Sequence, residues 1–442
     1  MHTLIRNICL WLMLSASAAA WAQNAGEVEF SRGVGFAQQA GQLPRTLGKG
    51  LPIQEGDRLT ISDGGTAIIK LNDGTRMTLR PNSEMVVQVY QYQENASSNS
   101  MVMQLLRGGF RAITGLISKG APDAAKVRTA TATVGIRGTD FDARICTQDC
   151  RAESAKVSEK GRPNTIAASA KLISVSGEIH VLDFSGTKRK LVEGASVYSG
   201  DTVVTEAKAT GVLVFRDESR LTLGASTHFK VDSFVYDEKN PTEGKFLLSL
   251  LSGSMRALTG LIGKSNNRNV SFKTPTATVG IRGTGLDLDC AAETCNIFTW
   301  QGTIEVIRVG QTVAQTLQVG QGLFVSRTQT RPLTAPTLEN LPRPDVVPVN
   351  VPQLFTTGNV TPEDEGLFVF VRDGHIEITS SKQTLHLGRG ETGYAGDDGR
   401  TGRPVIMPLF IQFDKVPMPN QANPMLYSVL GEVSKPSSNQ CR

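Results

Sequence analysis

Two arginines set between glycines offer the clearest candidate chemistry in this chain. Val134-Gly135-Ile136-Arg137-Gly138-Thr139 recurs as Val279-Gly280-Ile281-Arg282-Gly283-Thr284. A guanidinium presents its donors in a planar fork that suits a carboxylate or phosphate, and flanking glycines let a backbone approach closely. Arg137 and Arg282 are therefore candidate binders of an anionic ligand. The same pattern also serves a structural purpose, and that reading is preferred. Gly138 and Gly283 permit a bulge or turn, and each arginine locks two strands by pairing with an acid. Asp57 and Asp201 stand at matching places and are the expected partners. Arg111 and Arg256 open a second repeated piece, Arg-Ala-x-Thr-Gly-Leu-Ile. It is either an apolar docking surface or, preferably, a core strand entering a glycine turn.

Other reactive types are sparse. Asp140 and Asp142, and likewise Asp287 and Asp289, lie two apart on expected strands and so share a face. They could bind a cation weakly, but a solvated strand face is the better reading. His180, His228, His375 and His386 show no metal-ligand spacing. The chain has no G-x-S-x-G elbow and no phosphate-binding G-x-x-x-x-G-K-[ST] loop. No catalytic residue, metal site or cofactor is assigned. The six cysteines include two close pairs at matching places, Cys146 with Cys150 and Cys290 with Cys295. Each pair is expected to close a small hairpin disulfide in an oxidising compartment. Cys441 is left over.

What must position these residues is a repeat. Residues 129–139 match residues 274–284 at ten of eleven positions, at an offset of 145. Further upstream the offset is 144: Gly56-Asp57 matches Gly200-Asp201, and Arg76-x-Thr78-Leu79 matches Arg220-x-Thr222-Leu223. Two copies of one domain are thus expected, at residues 23–160 and 168–330. The copies read as short strands between turns. Thr66 to Leu71, a turn at Asn72-Asp73-Gly74 and Thr75 to Leu79 form a hairpin pattern, repeated as Val212 to Phe215, Arg216-Asp217-Glu218 and Ser219 to Leu223. With 44 glycines and β-branched apolar runs the class is all-β, solenoid-like or sandwich-like.

Residues 331–355 hold six prolines in 25 residues, the composition of an extended linker, set at 331–365. Beyond it, residues 366–415 form a smaller C-terminal β module that reads as a partial copy of the β unit. Its plan of strand, turn at Arg372-Asp373-Gly374, strand and glycine close matches residues 298–324, where Gln301-Gly302 is the turn. Residues 416–442 are expected to be a flexible tail. At the other end, His2 and Arg6 precede an apolar run of 13 residues and the cleavage pattern Ala20-Trp21-Ala22. Residues 1–22 thus read as a signal peptide, with Cys9 wrongly placed for lipid attachment. The run is too short to span a bilayer, and no other stretch is long enough.

Gly56-Asp57, Asp73-Gly74-Thr75 and Val134-Gly135-Ile136-Arg137-Gly138-Thr139-x-Phe141 together resemble the FecR family, and the second copy resembles it equally. The resemblance implies a periplasmic all-β domain that gives or receives signals through protein contacts. In the family's namesake iron-transport regulators, this domain senses an occupied outer-membrane receptor and controls a cytoplasmic sigma factor. Those regulators begin with an anti-sigma segment and a membrane helix, where this sequence reads as a signal peptide. The expectation is therefore a non-catalytic periplasmic scaffold or signalling component that binds another periplasmic or outer-membrane protein. The alternative is an envelope-binding module attached to peptidoglycan or polysaccharide. A net charge of +5 with interspersed signs, and few aromatics, argues against nucleic acid as a partner.

Overall fold

The computed structural model describes residues 23–121 and 123–412. The expected signal peptide, Cys9, Cys441 and the expected tail lie outside the described residues.

The strands of the first copy include β1 (Asn24–Arg32), β2 (Arg45–Thr46), β3 (Thr66–Leu71), β4 (Arg76–Leu79), β5 (Ser100–Ile113) and β6 (Thr133–Cys146). Those of the second include β7 (Ala170–Ser176), β8 (Ile179–Leu182), β9 (Lys188–Leu191), β10 (Thr210–Phe215), β11 (Arg220–Leu223), β12 (Lys245–Leu258), β13 (Ala277–Cys290) and β14 (Thr294–Arg308). The C-terminal part adds β15 (Gly366–Thr379), β16 (Thr384–Leu387), β17 (Thr392–Ala395) and β18 (Thr401–Gly402). The fold is all-β: the described strands form two sheets of 15 strands each, one per copy. Each sheet curls around its own apolar core. In the first, one buried cluster reaches from Ala37 and Leu59 through Phe110 and Phe141 to Val371 and Ala395.

The hairpin pattern is realised as β3 and β4, paired antiparallel around a turn in which Gly74 takes φ +86°. Met77 and Leu79 face the core. Asp73 fixes the turn: its carboxylate accepts from Thr75 N at 3.1 Å and Thr75 Oγ1 at 2.9 Å. Thr75 Oγ1 in turn accepts from Gly115 N at 2.9 Å, docking the short helix α1 (Leu116–Gly120) onto the turn. A Cβ on Gly115 would lie 2.2 Å from Asp73 O, which explains the glycine of the repeated Thr-Gly-Leu-Ile piece. The second copy repeats the device with Asp217, Ser219, Gly260 and α2 (Leu261–Ser265).

The long strands β5, β6 and β15, and their counterparts β12, β13 and β14, run 14 or 15 residues each. Arg372-Asp373-Gly374 and Gln301-Gly302, expected as turns, are instead bulges inside β15 and β14. Gly374 has φ +92° and Gly302 φ +72°, and the register with the neighbouring strand slips at the same points. One extra residue at a positive-φ glycine bends a strand without ending it. A local pattern of apolar, polar and apolar residues around Asp-Gly cannot separate such a bulge from a hairpin turn.

β15 pairs with β6 from Thr133↔Thr379 to Cys146↔Gly366, and β17 and β18 extend the first sheet. In the second copy the equivalent pairing is made by β14, which follows β13 directly. In chain order, the second sheet therefore lies between two parts of the first. The expected linker carries an edge strand at Thr330–Leu333 and a short helix at Val351–Phe355. Its carbonyls of Leu338 and Leu341 accept from Arg256 Nη1 at 3.1 and 2.6 Å, so it lies along the second copy.

Candidate functional site

The two motif arginines do not pair with Asp57 and Asp201. Arg137 Nη2 reaches Glu377 of β15 at 3.2 Å, and Arg282 Nη2 reaches Glu305 of β14 at 2.7 Å. The lock between strands exists, but the acid comes from the next strand, since β6 and β13 are flanked by β15 and β14. Asp57 instead takes Arg45 of β2 at 2.6 Å, and Asp201 takes Arg189 of β9 at 3.2 Å. In each copy this pair ties the sheet's end strand to the Gly-Asp turn, and Asp57 Oδ2 and Asp201 Oδ2 also accept from Gln54 N and Tyr198 N. Burial raises the Asp201 carboxyl, against the pull of the Tyr198 amide and Arg189.

Arg111 forks onto Asp140, at 3.1 and 2.8 Å, and Arg256 binds Asp287 at 3.0 Å. Both arginines are buried in β5 and β12. The solvated face expected around Asp140 and Asp142 is covered: Asp142 is buried and bonds Arg372 Nε at 2.6 Å. Its counterpart Asp287 is equally buried and accepts from Trp300 Nε1 at 2.8 Å. Gly138 and Gly283 take φ +61° and +63° at the bulge. Gly135 and Gly280 have ordinary φ, and an added Cβ there would meet nothing closer than 3.7 Å.

Both cysteine pairs are bonded, with Cα atoms 5.4 Å apart in Cys146–Cys150 and 4.1 Å in Cys290–Cys295. Cys290–Cys295 crosses the β13–β14 hairpin, as expected. Cys146–Cys150 does not close a hairpin. It joins the end of β6 to the helix Gln148–Ser154, because here the first copy leaves its sheet and the chain passes to the second.

The residues that hold the copies together were not singled out from the sequence. Lys171 of β7, Glu391 before β17 and Arg403 after β18 form a buried cluster. Lys171 Nζ lies 3.2 Å from Glu391 Oε1 and donates to His386 O at 2.9 Å. Arg403 Nε donates to Glu391 Oε2 at 3.0 Å, and its Nη1 and Nη2 reach Gln353 O and His386 O at 2.8 and 2.5 Å. Burial lowers Lys171 to about 8, with Glu391 opposing the shift. For Glu391 burial works upward, but Lys171 and Arg403 outweigh it and hold the carboxylate below its ordinary range. His386 falls to about 4 and His375 well below its usual value, both chiefly through burial, so both rings are neutral. One signal was available in the repeat. Lys171 stands where the first copy has Glu27, and Lys171 is buried while Glu27 is exposed.

Beside this cluster, between the copies, lies a cleft of about 560 Å³. Arg137, Gly138 and Asp201 come together on its walls, whereas Arg282, Arg111, Arg256 and Asp57 lie elsewhere. Six cations line it: Lys119, Arg137, Lys188, Arg189, Lys190 and Arg389. Three acids accompany them, Asp183, Asp201 and Asp373. Asp201 is committed to Arg189, and Asp183 accepts from Ser185 N, Ser185 Oγ and Thr187 N. Tyr198 stacks under Arg389, 4.7 Å from ring centroid to guanidinium carbon, and its hydroxyl accepts from Arg389 N at 2.8 Å. With six cations against three acids, such an arrangement attracts anions. Among the described residues, no group of three or more His, Cys, Asp or Glu is placed to hold a metal ion, and no helix is long and apolar enough to cross a membrane.

The model of the family described as FecR protein matches residues 57–159 and 201–305. Each match lies within one of the two sheets. No curated protein matches the chain. Two crystal structures of a "putative anti-sigma factor" from Parabacteroides distasonis ATCC 8503, at 1.65 and 2.50 Å resolution, are similar over 30% of this chain at 15% identity. The matched part spans 57% of that protein's length, and the TM-score is 0.24. Two stretches of this chain match one family model and fold to one strand plan, so the chain carries the FecR domain twice.

Proposed function

We propose that this protein is an exported, non-catalytic component of the cell envelope that binds another protein, as a scaffold or as part of a signalling route. The observation that carries this reading is the joining of two FecR domains by a buried ionic cluster, with an open basic cleft where they meet. A family whose domain works through protein contacts, doubled and fixed in one arrangement, offers a composite surface that neither copy has alone. The paired buried acids serve the fold, which leaves recognition to the surface and the cleft.

The test is crosslinking in intact cells that express the tagged full chain, followed by denaturing purification. The reading expects one defined protein adduct from the envelope fraction. Sedimentation with purified peptidoglycan in the absence of protein, with no adduct in cells, would instead favour the wall-binding alternative.

A further inference from the structure

The internal repeat separates what the fold requires from what the cleft adds. Arg189 and Asp201 have counterparts in Arg45 and Asp57, forming the same pair, so they are part of the domain. Lys119 and Arg137 likewise recur as Lys264 and Arg282. Lys188 and Lys190 do not: the first copy has Pro44 and Thr46 at those places. Tyr198 stands where the first copy has Gln54, and Arg389 where the strand pairings align Val319. These four residues without a counterpart thus gather at one place, the cleft between the copies.

Three further observations bear on what the cleft takes. β9, which carries Lys188 and Lys190, is the end strand of the second sheet and pairs only with β8 among the described strands. Its other edge has backbone donors and acceptors available to an added strand. His375 also lines the cleft; it is buried, and its Nδ1 has no hydrogen-bond partner among the described residues. No acid among the described residues lies within ion-pair distance of Lys119, Lys190 or Arg389.

We propose that this cleft binds an acidic, extended peptide segment of the protein partner, laid along the edge of β9 with its carboxylates against Lys188, Lys190, Lys119 and Arg389. Charges spread over several elements fit a chain of carboxylates better than one compact phosphate. An open strand edge also gives backbone pairing that a sugar cannot use. The proposal rests on the protein-binding reading above and narrows it to one site and one ligand chemistry. Lysines on an edge strand also serve to prevent sheet-to-sheet association, and the test separates the two roles.

The probe is a fluorescein-labelled ten-residue peptide of alternating Glu and Thr, titrated against the full exported chain by anisotropy. Its Gln-Thr counterpart, polygalacturonate and inorganic phosphate serve as competitors. The proposal expects binding of the Glu peptide and none of the Gln peptide, with affinity falling at least tenfold between 50 and 300 mM salt, an effect read on the unaltered protein. Lys190→Glu and Arg389→Glu are each expected to weaken binding at least tenfold, while Lys49→Glu, exposed and outside the cleft, leaves it unchanged. Equal binding of the Gln peptide, or full affinity in both cleft variants, overturns the proposal. So does displacement by polygalacturonate below the peptide's own binding range, which makes the cleft a glycan site. If Lys188 and Lys190 only guard the edge, the peptide fails to bind and their replacement by Thr causes self-association. A crosslinked partner in cells without peptide binding overturns this inference alone; peptide binding without any cellular partner overturns the broader reading.

Discussion

Gly135 and Gly138 sit three residues apart in one motif, yet the backbone asks for glycine at only one of them. Gly138 has φ +61° at the bulge of β6, a conformation that costs an L-residue about 1–2 kcal/mol. Gly138→Ala should lower stability by about that amount, while Gly135→Ala should be nearly neutral, as read by urea unfolding. Gly374→Ala should cost more than either, since its Cβ would lie 2.4 Å from Gly138 O. Glu218 is the converse case. It holds φ +69° where the first copy has Gly74, and Glu218→Gly should stabilise the protein by about 0.5–1 kcal/mol. Its neighbour Asp217 is pushed up to about 6 from an ordinary 3.8, because burial outweighs the bonds from Ser219 and Ile262. The folded state therefore holds a proton more tightly than the unfolded one. This group's contribution to stability must fall as pH rises from about 4 to 6 and stay low above that window. The difference between the unaltered protein and Asp217→Asn, followed by chemical unfolding at pH 4, 5, 6 and 7, isolates this effect. A difference that does not change across that range would refute it.

At the scale of elements, β15 decides how the first copy is finished. Its sequence resembles that of β14 closely enough to be read as the same kind of unit. What the sequence does not say is which strand it joins, because strand pairing is set by packing between distant segments. Apolar positions such as Val369, Val371, Ile376 and Ile378 complete the first core, and without them β6 presents a long unpaired edge. A chain ending after residue 334 should therefore keep the second copy's slow amide exchange, lose it in β5 and β6, and aggregate. Slow exchange retained in β6 would show that the first copy is complete without β15. The same pairing explains Glu377 as the partner of Arg137: the acid is far away in sequence but lies diagonally across the strand pair, in the Gly135↔Glu377 row, two rows from Arg137↔His375.

At the scale of the whole molecule, the joint between copies combines ions with close backbone contact. Asn164, in the connection between copies, donates to Thr392 O and Pro404 O and accepts from Thr392 N. Gly194 approaches His386 so closely that a Cβ would lie 2.2 Å from the ring. Glu391 is the only acid bonding Lys171 and Arg403 among the described residues. Glu391→Gln leaves two buried cations opposed by none, and should cost about 3–5 kcal/mol in thermal or urea unfolding. Lys171→Met leaves the Arg403–Glu391 pair balanced and should cost clearly less. Equal losses in the two variants would mean that packing, not charge, holds the joint.

The sequence by itself determined the class, the doubling, the strand alternation with its β3–β4 hairpin pattern, and the FecR resemblance. These depend on neighbours along the chain or on a copy of the same pattern. Only the tertiary structure decided the partners of Arg137 and Arg282, the covering of Asp142 and Asp287, the place of β15 in the first sheet and the cleft itself. Each of these is a pairing between residues far apart in sequence, fixed by register and burial rather than by local composition. Lys188, Lys190, Tyr198 and Arg389 carry no motif, and they become a site only because the copies meet there.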